Sequence, residues 1–184
     1  MQLNTHVILV NENDEQIGLM HKLEAHQKGI LHRAFSIFIF NNRGQLLMQQ
    51  RALDKYHSGG LWTNTCCSHP IANELTEVYA HKRLIEEMGI SCDLTAVSKF
   101  IYKAELENGL IEHEYDHVFI GYCDDEPVIN ENEANAWKWM DIDALKKDIN
   151  INPTLYTAWL KLALDQLINS LTMEEIKIDS LTIS

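Results

Sequence analysis

No stretch of this chain approaches the roughly 18 uninterrupted apolar residues that a membrane-spanning helix requires, so a helical membrane protein is not expected. The opening MQLNTHVILV has no basic region followed by a long apolar run, which argues against a secretory signal. Positive charge is scarce. Fifteen Lys and Arg stand against 27 Asp and Glu, a formal net charge of −12, and no basic stripe offsets it. Nucleic acid is therefore not expected as a ligand, and neither is a membrane partner. A small anionic substrate is still compatible, because it feels its local pocket rather than the summed charge. Internal repeats, linkers and low-complexity tracts are also missing. The expectation is a single domain over residues 1–184, with a core at about 20–170 and a C-terminal extension after about 170. Cysteine is limited to Cys66, Cys67, Cys92 and Cys123. Without a secretory signal, and with two of them adjacent, a disulfide framework is disfavoured and a reduced, cytoplasmic setting is expected.

What is present is a soluble globular composition, 46% hydrophobic and 23% charged. AFSIFIF (34–40) is a nearly continuous apolar run, as in a strand buried on both faces; NNRG (41–44) reads as a turn. QLLMQQR (45–51) then returns, so 34–51 reads as a β-hairpin. Further strands are expected at 97–103, 112–123 and 136–140. A helix is expected from about Asn73 to Met88, with Asn73 as N-cap, Glu74 and Glu77 in the first turn and Gly89 at its end. Another opens at NPTL, with Asn152 as cap and Pro153 at the first helical position, and runs to about Ser170. The order of elements predicts an α/β (α+β) fold of mixed sheet between helices.

Several groups could carry chemistry. On a strand over 112–123, Glu112, Glu114 and Asp116 share one face. They are either a solvated strand face or, with His26, His32 and His69, donors suited to Zn²⁺, Mn²⁺ or Mg²⁺. The spacing of CCSH matches no zinc finger, because it lacks a second ligand pair. In the helix, Lys82 with Glu86 and Arg83 with Glu87 are spaced i,i+4; they could be surface ion pairs or part of a metal-diphosphate site. Arg51 and Lys55, with Lys22 and Arg83, could form an anion pocket or be ordinary surface cations.

The phrases LHRAFSIFIF, LLMQQRALDK, GGLWTNTCCSHP, RLIEEMGI and EHEYDHVF, spread over about residues 20 to 123, resemble the type 1 isopentenyl-diphosphate isomerases, a branch of the Nudix fold. The downstream WKWMD and Trp159 fit as well. The Nudix pattern G-x5-E-x7-R-E-U-x-E-E-x-G-U, U being a bulky aliphatic, survives in altered form. Glu74 and the tail EEMGI are present, while Ser68, Lys82 and Arg83 occupy the positions of its Gly, Arg and first Glu.

The resemblance implies a single enzyme domain that moves a double bond between isopentenyl and dimethylallyl diphosphate, in isoprenoid precursor biosynthesis. It implies a monomer or homodimer whose partner is a small-molecule diphosphate. One carbon is protonated and another deprotonated through a tertiary carbocation, so the site needs a placed acid, an opposing base and a dry pocket. By motif position the acid–base pair is Cys67 and Glu114, with Tyr102 on the glutamate side and Trp159 facing the cationic carbon. The implied ligands of a Mn, Zn or Mg ion are His26, His32, His69, Glu112 and Glu114, with His21 as the alternative to His26. Glu87 is the implied acid for a Mg²⁺ arriving with the diphosphate, and Lys22, Arg51, Lys55 and Arg83 the implied phosphate contacts. Gly59-Gly60 stands where many relatives have Pro-Gly, which is expected to loosen that loop.

Two other readings use the same residues. A Nudix diphosphohydrolase would activate water with clustered metals, but Arg83 replaces one of its acids and Cys67 would have no task. A non-catalytic metal-binding module would not depend on Cys67 at all.

Overall fold

The computed structural model describes residues 5–181, and their side chains as far as residue 171. The chain opens with β1 (His6–Val10) and β2 (Gln16–His21), followed by α1 (Lys22–Lys28), β3 (His32–Phe40) and β4 (Leu46–Arg51). The short strands β5 (Trp62–Thr63) and β6 (Cys66–Ser68) precede α2 (Thr76–Met88). Then come β7 (Thr95–Glu105), β8 (Ile111–Tyr122), β9 (Ala134–Met140), α3 (Ile142–Ile151) and α4 (Ala158–Leu181).

These strands form one mixed, branched sheet. At its centre β3 lies parallel to β8 and antiparallel to β6, with β7 on the far edge of β8. Two apolar clusters cover its faces. On one, Phe38, Met48, Val118 and Ile120 meet Leu145 of α3 and Leu160, Leu164 and Leu167 of α4. On the other, Phe35, Ile37, Ile39 and Phe119 meet Ala80, Leu84 and Met88 of α2. Strand β3 therefore contributes its alternate residues to opposite cores, which is why it reads as an unbroken apolar run.

The expected α/β sandwich and the strands near 97–103, 112–123 and 136–140 are present. Other details differ. The hairpin over 34–51 is paired only at Phe40–Leu46; beyond that point β3 turns to β6 and β8, and β4 to β5 and β9. Tertiary pairing of two buried strands overrides the local turn. Helix α2 starts at Thr76, after Leu75, not at Asn73, which adopts a left-handed φ of 66° outside the helix. Gly89 does terminate it, at φ 67°. NPTL forms a separate 3₁₀ turn over Pro153–Leu155, and α4 begins at Ala158. That helix runs on without a break at 170, and its side chains after 171 lie outside the described residues. Before residue 20, Val7, Ile8 and Val10 of β1 are already buried. Elements β1, β2, β5, β6, α1 and α3 had no expectation.

Candidate active site

Strand register assembles the site. Parallel pairing sets His32 opposite Glu114, and antiparallel pairing sets Tyr102 opposite Glu114 on the other side. On β3, one period of the pleat along from Ala34, Ser36 lies opposite Cys67 of β6. Glu112, Glu114 and Asp116 are all buried, so the solvated-face reading of the strand is wrong. Around this row, α1 supplies Lys22 and His26, β4 supplies Arg51, and α4 supplies Trp159. The start of α4 is fixed by Thr157, whose N–H donates to Trp62 O at 3.0 Å and whose hydroxyl donates to Thr63 Oγ1 at 3.1 Å.

The histidines are oriented by the backbone. His26 Nδ1 lies 2.7 Å from Lys22 O, and His32 Nδ1 lies 2.8 Å from Ile30 O. A carbonyl can only accept, so each proton sits on Nδ1 and each Nε2 presents a lone pair. His69 Nε2 is 3.2 Å from His32 Nε2 and 2.8 Å from Glu114 Oε1. One donor atom each from His26, His32, His69 and Glu114 lies within 4.8 Å of all the others. Ligands bound at about 2.1 Å to one ion stand roughly 3–4 Å apart, so this set suits a divalent cation. His26 Nε2 supports the fit: it is fully buried and has no hydrogen-bond partner among the described residues. His21 is exposed and pairs its ring with His6, so the structure favours His26 in the cluster.

Glu112 belongs to a different set, with His26 and His57. His57 carried no expectation. It is buried, with its ring stacked on His26 at 5.7 Å and edge-on to Trp159 at 6.0 Å. The loop that carries it is tight rather than loose: a Cβ on Gly59 would sit 2.6 Å from Leu53 O, and Ser58 and Gly60 have φ of 53° and 75°.

The two glutamates differ in charge. Burial raises the Glu114 carboxyl, but the imidazoles of His32 and His69 beside it outweigh that and hold the group well below the usual range. Burial and the charge of Glu114 push Glu112 well above it. Tyr102 Oη lies 2.6 Å from Glu114 Oε2 and 2.8 Å from Glu112 Oε2. A phenol has one proton, so a consistent chain is protonated Glu112 donating to Tyr102 and Tyr102 donating to Glu114.

The half-buried thiol of Cys67 donates to Asn64 Oδ1 at 2.8 Å and accepts from Trp159 Nε1 at 3.3 Å. Burial, then the charge of Asp116, pushes it up to about 12, so it is a thiol at neutral pH. Asn64 is fully buried and braced by donating to Ile37 O and Cys66 O. Cys66, fully buried in the α2-side core, is filler. Asn64 was overlooked although it stands inside TNTCCSHP, because an Asn that holds a thiol reads locally like any turn residue.

The cations divide. Lys22 and Arg51 line the small cavity of about 40 Å³ beside Cys67, Tyr102, Glu112 and Glu114. Burial, then nearby Arg51, lowers Lys22 to about 8. The Arg51 guanidinium stacks 5.2 Å over the Trp159 ring. Lys22, Lys55 and Arg83 line an adjoining groove of about 450 Å³ that shares Ser68 and His69 with the cavity. Glu133, also overlooked, clasps both of the outer cations: Lys55 bonds to it and Arg83 Nη2 lies 3.1 Å away. Arg83 also reaches Glu87 at 2.6 Å and Glu86 at 2.7 Å. The second oxygen of Glu87 accepts from Gln49 at 3.0 Å, so both of its oxygens are engaged. Lys82 turns to Glu74 instead of Glu86.

A NUDIX domain matches residues 30–160. Isopentenyl-diphosphate Delta-isomerase 2 of Photorhabdus laumondii is 53% identical over 171 residues, 93% of this chain and 94% of that protein. Isopentenyl-diphosphate Delta-isomerase of Pectobacterium atrosepticum is 52% identical over 158 residues, 86% of this chain and 88% of that protein. The chain belongs to the isopentenyl-diphosphate Delta-isomerase family.

Solved structures agree on the fold alone. DR0079 from Deinococcus radiodurans superposes with a TM-score of 0.71 at 17% identity, covering 86% of this chain and 96% of that one. A MutT NUDIX hydrolase from Burkholderia pseudomallei gives 0.59 at 21% identity, covering 74% and 97%. Within the isomerase family's fold, the residues gathered here supply a thiol and a buried carboxylate in one cavity, a cluster of imidazoles and a carboxylate that could hold a metal ion beside them, and cations at the rim. Among the described residues, no helix is long and apolar enough to cross a membrane.

Proposed function

We propose that this enzyme interconverts isopentenyl diphosphate and dimethylallyl diphosphate through a tertiary carbocation, with Cys67 and Glu114 as the proton-transferring pair. The observation that carries the reading is their shared cavity. Cys67 holds its proton as a half-buried thiol, while Glu114 is held ionised by His32 and His69. An alkene is a feeble base, so protonating one requires an acid placed at the carbon, with water kept away. The forward acid returns as base in reverse, and each group regains its starting state over a cycle. Trp159 lies against Cys67 and offers a π face to a cationic carbon. Tyr102 links the two carboxyls and can pass a proton between them.

His26, His32, His69 and Glu114, with Glu112 nearby, would hold a Mn, Zn or Mg ion. Such an ion would fix the charge and orientation of Glu114. Lys22, Lys55 and Arg83 of the groove suit the diphosphate, with Arg51 meeting it from the cavity, whose remaining space would take the hydrocarbon. Mg²⁺ accompanying the substrate would add neutralising charge, and Glu87 is its nearest implied partner. A free Cys67 thiol fits a reducing cytoplasm and a role in isoprenoid precursor biosynthesis.

Cys67→Ala and Glu114→Gln should each abolish double-bond migration, by at least about a thousandfold, while still binding diphosphate. The measurement is proton-NMR conversion of isopentenyl diphosphate, with binding by calorimetry. Substantial turnover in Cys67→Ala would sink the assignment, and phosphate release by the unmodified chain would favour a hydrolase.

A further inference from the structure

His57 lies outside the ligand set that the family resemblance implies, yet it is aimed into the same cavity. It is buried, and its Nε2 lies 3.8 Å from Glu112 Oε1, too far for a hydrogen bond. Its Nδ1 stands 3.3 Å from the hydroxyl of Ser58, which can accept that proton and leave Nε2 as a lone pair. One donor atom each from His57, His26 and Glu112 lies within 4.8 Å of the others. The unpartnered, buried Nε2 of His26 is common to this set and to the set with His32, His69 and Glu114.

The orientation is built in. Ser58 holds a left-handed φ of 53°, its N–H donates to Glu107, and Arg51 donates to the His57 carbonyl at 3.3 Å. Gly59 packs where a Cβ would meet Leu53 O. These contacts turn the imidazole inward, although an exposed loop would ordinarily point it to solvent.

We infer that His57 is a metal ligand in this chain, and that His26–His57–Glu112 is a second seat for the same divalent cation. One imidazole nitrogen serves one ion, so sharing His26 limits the pair of seats to a single cation at a time. The resulting cage of four imidazoles and two carboxylates favours borderline metals such as Zn²⁺ and Co²⁺ over Mg²⁺. The inference rests on the His26–His32–His69–Glu114 reading of the first seat.

The test titrates Co²⁺ into metal-free full-length protein without substrate. It follows visible absorption and obtains affinity by competition with a chromophoric chelator. The unmodified chain should bind one equivalent. His57→Ala should weaken binding at least about tenfold, the scale seen on losing even an outer-shell partner, and should change the spectrum. A thermal melt of the metal-free variant checks folding, and His57→Asn takes its place if the Ala protein fails that check. Unchanged affinity and spectrum would overturn the role of His57, and binding of two equivalents would overturn the shared seat. His32→Ala separates the premises. If it abolishes binding while the His57 variants do not, only the second seat fails; if it too has no effect, the first reading fails.

Discussion

Cys67 carries both a reactive atom and an environment that suppresses its usual reactivity. The thiolate is the nucleophile, and burial keeps the proton on up to about pH 12. Alkylation of Cys67 by iodoacetamide should therefore be slow at pH 7 and rise about tenfold per pH unit through pH 9 without levelling. Peptide mass spectrometry reads the rate. A plateau near pH 8 would mean an ordinary thiol and remove the argument for a held proton. At this scale the sequence was most informative where residue types are chemically unusual. A thiol close to a histidine and three acids on one strand face mark positions to inspect, although the acids alone read equally well as a solvated face until their burial is seen. His57 was illegible, because its inward turn depends on Ser58 φ and on the close packing of Gly59, neither of which has a periodic signature. Glu133 was hidden similarly: its importance lies in Lys55 and Arg83, both distant in the chain.

Strand β8 shows how one element can serve two purposes. Its Glu112, Glu114 and Asp116 face the site, and further along the same face Val118 and Ile120 enter a core. Period-2 alternation located the face, but only the pairing with β3 and β7 shows that its acids are buried. The hairpin over 34–51 illustrates the limit: turn chemistry placed the reversal correctly and could not reveal that each strand leaves for other partners. Helix α2 was legible because of its length, its core-facing Ala80, Leu84 and Met88, and its terminal glycine. Gly89 is the sharpest lever on this element. At φ 67°, a Cβ there would meet Val128 O at 2.7 Å. Gly89→Ala should cost about 1–3 kcal/mol, from the left-handed backbone and the forced shift together. Urea unfolding measures it, and a variant as stable as the parent would contradict the packing.

For the molecule as a whole, burial of uncharged imidazoles makes acid the natural stress. Burial lowers His26 and His117 to about 4 and His57 to about 2, from an ordinary value near 6.5. Each unfolded imidazole then binds a proton more readily than its folded counterpart. Their contribution to stability is complete above about pH 6.5 and is lost progressively as pH falls toward 4. Melting of metal-free protein between pH 7.5 and 4.5 should show this decline beginning near pH 6.5, and a flat profile down to pH 5 would refute it. The net charge of −12 does not describe the surroundings of a small anionic ligand, since Lys22, Lys55 and Arg83 are gathered at one groove of an otherwise acidic molecule.

The pairing of His32 with Glu114 also sets a timetable for the chain. Nearly half of the polypeptide lies between these two residues, and parallel strands meet only after that long loop has closed. Helix α2 and the β1–β2 ribbon can form from near neighbours, whereas Glu112 and Glu114 reach Cys67 and the imidazoles only when β8 docks beside β3. The cover of Cys67 is completed later still, when α4 brings Trp159 against it, so until then its thiol is open to oxidation during synthesis. The last helix of the chain is thus also the one that closes over its most vulnerable atom.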